Sequence, residues 1–90
     1  MSATLTVRHP VADYAAWRAV YDTVDPLREQ HGCTGHAVYR SPEDGNDVFV
    51  THDFPSVAAA QAFAGDPALG EAMQRAGVAG APAIAIFERA

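Results

Sequence analysis

The chain has 90 residues and a mass of 9.5 kDa, which is room for one compact domain over residues 1–90 and excludes a second one. Eleven acidic residues against six arginines and no lysine give a formal net charge of −5, which opposes binding to nucleic-acid phosphates and to anionic membranes. Nineteen residues are alanine but only three are leucine and two are isoleucine, so large apolar side chains are few and oligomerisation is an expected source of buried area.

Two further features bear on location and redox chemistry. The sequence contains no apolar run of the kind that forms a signal peptide or a membrane-spanning helix, so we expect a cytoplasmic protein. Cys33 is the only cysteine, which excludes a disulfide within the chain. We interpret it as a small buried apolar side chain, because no neighbouring base marks it as a nucleophile.

The first part of the chain predicts a strand followed by a helix. Polar and apolar residues alternate over 3–9, the period of a β-strand. Apolar and aromatic residues then recur every three or four positions from Tyr14 to Leu27, which predicts a long amphipathic helix. Asp13 is placed to cap its first turn and Gly32 to end it.

Pro26 lies inside this helical pattern and interrupts it. A proline ring removes one backbone hydrogen bond and clashes with the preceding turn. We therefore expect a kink or a restart, with Asp25 as the capping residue and Pro26 at the first position of the last helical segment.

A β-hairpin is predicted in the middle of the chain. Residues 34–41 and 47–54 have strand character, and the intervening sequence Pro-Glu-Asp-Gly-Asn is rich in residues that turn the chain. The two strands should therefore pair with each other in antiparallel fashion.

An alanine-rich helix and a last strand are predicted after the hairpin. Ser56 is placed to cap a helix over 57–64. Asp66, which is followed by proline, is placed to cap a second piece that Gly77 ends, so we expect one helix with a break in it. Residues 83–89 again alternate and form the last strand.

The order βαββαβ predicts an α+β ferredoxin-like plait, a four-stranded antiparallel sheet of strand order 4-1-3-2 with the helices on one face. The strands carry apolar residues at both parities, for example Phe49 beside Val48 and Val50, and Phe87 beside Ile86. Since helices cover only one face of such a sheet, the apolar second face predicts packing against another subunit.

Four segments of the chain carry a resemblance to a known group of proteins. They are the run from Val7 to Trp17, the hairpin, the alanine-rich helix with Asp-Pro-Ala-Leu at 66–69, and the stretch from Ala76 to Pro82. Together they resemble the dimeric α+β barrel superfamily, and within it the small proteins of the antibiotic biosynthesis monooxygenase type. The resemblance implies a homodimer whose two sheets form a barrel, with a cavity between the helices and the sheet of each subunit. It also implies a cofactor-independent oxygenase or a polyketide cyclase that acts on a small hydrophobic aromatic molecule.

The predicted topology brings His9 to one end of the sheet beside an aromatic surface. Trp17 lies about one turn into the first helix and should sit over His9, with Tyr14 and Tyr21 one turn to either side. Such a surface suits a planar ligand, toward which His9 could act as a base. The alternative is that the aromatic residues are core and that His9 is a solvated strand end.

At the opposite end of the sheet, His36 and His52 lie near each other on paired strands, and His31 ends the helix before them. Three imidazoles beside Asp53 could hold zinc or iron. A shift of one residue in strand register would send His36 and His52 to opposite faces, however, and we expect no metal site. Because consecutive strand residues face opposite sides, His52 and Asp53 cannot pair, and a cross-strand pair such as Asp53 with His36 is expected instead.

The ligand is predicted to contact Tyr14, Trp17, Tyr21, Tyr39, Phe63 and Met73. The resemblance implies that cyclases of this kind use a histidine together with a tyrosine. His9 with Tyr14, or His52 with Tyr39, would be such a pair.

Two functions of different classes follow. The first is a cofactor-free monooxygenase or cyclase, in which a histidine removes a proton from a phenolic or β-keto carbon acid and the carbanion cyclises or reacts with oxygen. The candidate catalytic residues are His9, His36 and His52. The second is a non-catalytic homodimeric module that binds a metabolite or is structural. A histidine at the acidic proton of a ligand favours the enzyme, whereas a cavity filled by Trp17, Phe63 and Met73 favours the module.

Overall fold

A computed structural model describes residues 2–90, and its elements follow the predicted order. The strands are β1 (Ala3–Pro10), β2 (Gly35–Arg40), β3 (Asp47–Phe54) and β4 (Ala83–Glu88). The helices are α1 (Tyr14–Tyr21), α2 (Asp25–Gln30), α3 (Val57–Ala64) and α4 (Pro67–Arg75). Each strand begins and ends within one residue of its predicted bounds.

The four strands form one antiparallel sheet of order β2-β3-β1-β4, which confirms the ferredoxin-like α+β fold. Val7 of β1 lies opposite Val50 of β3 and Ile84 of β4, and these positions belong to the side that the helices cover, here called the helix face. The other side is called the outer face. Strand alternation sorts every strand residue to one face or the other.

The predicted long first helix is two helices. α1 ends at Tyr21 and α2 begins at Asp25, because the ring of Pro26 would clash with the carbonyl of Asp22 if the helix continued. The restart is therefore confirmed, but its capping is different. Val24 is the N-cap residue and makes no side-chain cap, while the Asp25 carboxylate accepts a hydrogen bond from Arg28 Nη1 at 2.8 Å.

Small side chains let the broken second helical segment pack closely on the sheet. Ala60 of α3 is fully buried, and Phe63 from the same helix packs on Phe54 of β3 with ring centroids 5.3 Å apart. Cys33 is half-buried against this cluster, where burial raises the pKa of its thiol. Within residues 2–90, every helix is too short or too polar to cross a membrane.

The outer face of the sheet exposes aromatic side chains. Tyr39 is 55% exposed, Phe87 61% and Phe49 38%, and the ring centroids of Tyr39 and Phe49 lie 6.1 Å apart. The apolar second face predicted from the sequence is therefore present, and residues 2–90 leave these three rings partly or largely exposed.

Two glycines give a matched test of the backbone. Gly77 follows α4 at φ +77°, where a side chain is strained, whereas Gly70 lies within α4 with open space at the Cβ position. We expect Gly77→Ala to lower the free energy of unfolding by about 1 kcal/mol and Gly70→Ala to raise it by roughly 0.5–1 kcal/mol. Urea unfolding at one protein concentration measures both, and a shift of the same sign in the two variants would contradict the assignment.

Candidate functional site

A small cavity lies between the helices and the helix face of the sheet. Its volume is about 60 Å³, and its walls are mostly apolar. Val7 and Val50 contribute from the sheet, and Leu69 and Met73 contribute from α4. An apolar cavity of roughly 150 Å³ is needed to hold benzene, so this one accepts a molecule of a few atoms unless side chains move.

Three aromatic rings of α1 stack in a row as predicted, and two of them lie along this cavity. Trp17 lies 5.8 Å from Tyr14 and 5.0 Å from Tyr21, measured between ring centroids. Trp17 and Tyr21 are buried and line the cavity. Tyr14 is not among the lining residues, and its ring instead carries the guanidinium of Arg40 at 3.8 Å.

His9 lies at one end of the cavity and is only 4% exposed. Its ring meets the edge of Trp17 at 5.8 Å, and neither ring nitrogen has a hydrogen-bond partner in the described chain. Burial lowers its pKa, so the imidazole is neutral at neutral pH. The interpretation as a solvated strand end is wrong, because pairing with Val48 places His9 on the helix face beneath Trp17.

The opposite end of the cavity holds a buried cation, Arg28 of α2, which is 3% exposed. Its Nε–H donates to His52 Nε2 at 3.0 Å, and its Nη2 donates to the carbonyl of Tyr21 at 3.0 Å. The guanidinium also lies 3.9 Å from the centre of the Tyr21 ring, and Nη1 is paired with Asp25. Four interactions thus hold one charge in place where water is excluded.

Arg28 determines the protonation of His52. A guanidinium always carries its protons and can only donate, so His52 Nε2 must accept and the ring proton must be on Nδ1. Burial, with the Arg28 charge adding to it, lowers the pKa of His52 to about 3. His52 therefore stays neutral through the physiological range and presents a buried Nδ1–H that has no partner among residues 2–90.

His36 stacks on His52 directly across the β2–β3 pair, with ring centroids 5.7 Å apart. The Tyr21 hydroxyl and His36 Nδ1 share a hydrogen bond of 2.5 Å, and His36 Nε2 lies 3.6 Å from Asp25. Burial, followed by the nearby Arg28, lowers the pKa of His36. His36 does not line the cavity, and it contacts the site only through its hydrogen bond to Tyr21 and its stacking on His52.

The expected pair of Asp53 with His36 is wrong, and the three imidazoles at this end of the sheet do not come together. Asp53 is on the outer face, where it accepts a hydrogen bond from Thr4 Oγ1 at 2.7 Å, so it cannot reach His36 on the helix face. His31 lies away from the other imidazoles and is 2.8 Å from Asp66, the residue that caps α4. In the described part of the chain, no three His, Cys, Asp or Glu side chains come together around a metal-sized space.

The remaining predicted contact residues separate by face. Phe63 and Met73 line the cavity. Tyr39 is on the outer face beside Phe49, because its strand neighbour Val38 pairs with Val50 on the helix face. The proposed pair of His52 with Tyr39 is therefore wrong.

Arg28 is the site residue that sequence reasoning did not find. A charged residue on a short helix is normally solvated, and nothing in the local pattern distinguishes Arg28 from Arg18, which forms an exposed pair with Asp22. Helical spacing from Tyr21 gives no signal either, because α1 ends at Tyr21 and α2 begins at Asp25, so the two side chains do not belong to one continuous helix.

These features define a small ferredoxin-like α+β domain with one apolar cavity and a polar group at each end of it. The sequence profile described as antibiotic biosynthesis monooxygenase matches residues 2–75, so the chain belongs to the antibiotic biosynthesis monooxygenase family. No curated protein sequence matches the chain.

Solved structures with the same fold cover nearly the whole chain. A proposed antibiotic biosynthesis monooxygenase from Bordetella bronchiseptica is 19% identical with a TM-score of 0.83, covering 99% of this chain and 97% of the other. SnoaB, a cofactor-independent oxygenase from Streptomyces nogalater, is 14% identical with a TM-score of 0.81, covering 99% and 93%. A dimeric ferredoxin-like protein of unknown function from Jannaschia sp. CCS1 is 14% identical with a TM-score of 0.74, covering 99% and 100%. At these identities the likeness establishes the fold alone.

The protonation of His52 makes a prediction about stability. Its folded pKa of about 3 lies below the unfolded value of 6.5, so the unfolded chain binds one proton more than the native chain between these two pH values. The contribution of His52 to the free energy of unfolding is fully present above pH 6.5. It falls as the pH decreases, by about 1.4 kcal/mol per pH unit for this group alone. His52→Phe should lower the slope of unfolding free energy against pH by that amount, measured by denaturant unfolding at fixed protein concentration.

Nitrogen-15 NMR of the histidine rings is the direct check. The His52 signals should show a protonated Nδ1 and an unprotonated Nε2 down to about pH 4. A His52 that titrates near pH 6.5, or equal slopes for wild type and His52→Phe, would contradict the assignment.

Proposed function

We propose that this protein is a cofactor-independent monooxygenase that oxidises an enolisable or phenolic carbon acid, with His9 as the base. The observation that carries the proposal is a buried, neutral imidazole that lines an apolar cavity and has no partner within residues 2–90. Membership of the antibiotic biosynthesis monooxygenase family supports oxygen chemistry. The fold shared with a cofactor-independent oxygenase is compatible with it.

The reaction balances without an external reductant. His9 takes a proton from a substrate CH₂ group, and the electron pair of the broken C–H bond stays on carbon as a delocalised carbanion. Transfer of one electron to O₂ and recombination form a C–O bond, and the resulting peroxide anion takes the proton back from His9. Loss of water then leaves a carbonyl. One oxygen atom enters the product, the other leaves as water, and the substrate carbon supplies all four electrons.

The size of the cavity sets a condition on this reaction. At about 60 Å³ it holds dioxygen or the reacting edge of a ligand, but a whole aromatic ring requires more room. Met73 and Leu69 of α4 form one wall, and methionine is the apolar side chain that changes rotamer most easily. Rotation of Met73 is therefore the step that we propose admits a planar substrate.

The small size of the cavity supports a second function, a non-catalytic module that binds a small metabolite. Trp17, Phe63 and Met73 all stand in the cavity wall, and together they leave little free volume. A packed cavity of this kind is also what a purely structural core would show. Proton abstraction and oxygen consumption separate the two functions.

Deuterium exchange tests the base without requiring oxygen. We expect wild-type protein in anaerobic D₂O to accelerate exchange of the acidic CH₂ protons of anthrone, followed by proton NMR. His9→Gln should slow the catalysed exchange by about 100-fold or more, since general bases contribute factors of 10² to 10⁴. His31→Gln is the matched control, because His31 is paired with Asp66 outside the cavity.

Oxygen is then admitted, and its uptake is recorded with an electrode. Exchange together with uptake supports the monooxygenase. Exchange without uptake indicates a carbanion that cyclises or returns to substrate, which would favour the cyclase. Absence of both activities, or equal exchange in wild type and His9→Gln, would leave the binding module as the better description.

We also propose that the protein is a homodimer assembled through the outer face of the sheet. Tyr39, Phe49 and Phe87 present three largely exposed aromatic rings there, and aromatic residues are enriched in protein interfaces. A sheet covered on one side only by helices leaves its other side for a partner of the same kind. The neighbour from Jannaschia is described as dimeric, which supports a dimer without indicating which surface forms it.

A charge placed on the outer face should dissociate the dimer. We expect Phe49→Glu with Phe87→Glu to give monomers in sedimentation equilibrium, because two copies would bury like charges against each other. Ile84→Glu is the matched control, since Ile84 is 48% exposed but has the parity of the helix face. Dissociation by the control alone, or a monomeric wild type, would rule out this interface.

A further inference from the structure

We propose that Arg28 and His52 form a binding site for an anionic oxygen of the ligand, at the end of the cavity opposite His9. The inference deepens the proposed function and rests on it for the identity of the ligand, but the binding can be measured without any reaction.

The first argument is the unpartnered donor of His52. The ring is 5% exposed and lines the cavity, and its Nδ1 has no hydrogen-bond partner in the described chain. A buried donor without an acceptor costs roughly 1–3 kcal/mol. Because Arg28 occupies Nε2, the ring cannot turn the proton to that side, and no acceptor for it stands among residues 2–90. An oxygen of the ligand is the acceptor that we propose.

The second argument is the charge beside that donor. Arg28 lines the same end of the cavity, and its three hydrogen bonds account for three of its five N–H groups. Asp25 is its only carboxylate partner in residues 2–90, and the Asp25 side chain is 62% exposed, so water screens it. The cavity side of the guanidinium is apolar, and there a positive charge acts strongly on a developing oxyanion.

The third argument is the separation of the two ends, which defines the class of ligand. His9 faces Val48 and His52 faces Leu5, so the histidines are four residues apart along neighbouring strands. Their Cα atoms are therefore about 14 Å apart. A ligand that reaches both ends has its acidic carbon on one side of a conjugated ring and its oxygen on the other side, so that the negative charge left by proton removal moves to the oxygen at Arg28.

Formate is a probe small enough for the cavity as it stands, and formamide is its neutral counterpart. We expect formate to shift the nitrogen-15 and proton signals of His52 Nδ1–H in a saturable way, with at least tenfold higher affinity than formamide. Arg28→Met should weaken formate binding by tenfold or more. Arg18→Met is the matched control, because Arg18 also lies over the Tyr21 ring, at 5.2 Å, but outside the cavity.

The test has a safeguard against loss of fold. If Arg28→Met does not fold, Arg28→Lys keeps the charge but cannot make the same fork of hydrogen bonds, and it should bind formate with intermediate affinity. The wild-type comparison of formate with formamide is decisive in either case. Equal affinity for the two probes, or shifts that leave His52 Nδ1–H unmoved, would overturn the proposal.

The anion site and the proposed reaction can fail separately. Formate binding at His52 together with failed deuterium exchange would keep the anion site and remove the His9 base. Catalysed exchange with no preference for formate would keep the base and remove the anion site.

Discussion

The arrangement of the site depends on one buried cation. Arg28 cannot lose its charge, so every group around it must supply an acceptor or a π face, and the carboxylate of Asp25, the carbonyl and ring of Tyr21, and Nε2 of His52 do so. These contacts join α2, the end of α1 and β3 at a single point. The break of the first helical segment before Pro26 is what allows this, because it redirects the chain so that Arg28 points inward.

The cavity exists because the space between the helices and the sheet is filled by very small and very large side chains. The second helical pair contributes mainly alanine, and Ala60 and Ala72 allow close approach without occupying the space between the layers. Most of the side-chain volume in this space comes from Trp17, Tyr21 and Phe63. Their flat rings cannot interlock as completely as branched aliphatic side chains do. The gap that remains is small, and it lies between His9 and His52.

Period-two and period-three-to-four patterns were sufficient to predict the sheet order, the hairpin and the helix break, because each depends on local alternation and on Pro or Gly. It was harder to predict which face of the sheet a residue occupies where a strand has apolar residues at both odd and even positions. The run of Ala, Val and Tyr in β2 does not show which side is inward, and only pairing of Val38 with Val50 places Tyr39 outside. Arg28 and the burial of His9 were missed for a related reason, since burial of a polar residue is decided by partners distant in sequence.

The two ends of the cavity differ in what they stabilise, and the difference gives the site a direction. Within residues 2–90 burial alone lowers the pKa of His9 and no charged group offsets it, so a proton that it accepts is poorly stabilised in the resting protein. Arg28 provides the opposite condition at the far end, where an anion is favoured and a second proton on His52 is not.

Transfer of a proton from a ligand to His9 therefore becomes favourable only when the ligand carries the resulting negative charge away toward Arg28. A conjugated ligand that spans the cavity couples the two ends, whereas a short carbon acid at His9 does not. The protein would then distinguish between carbon acids by whether conjugation links the acidic carbon of the ligand to an oxygen at Arg28, as much as by the shape of the ligand.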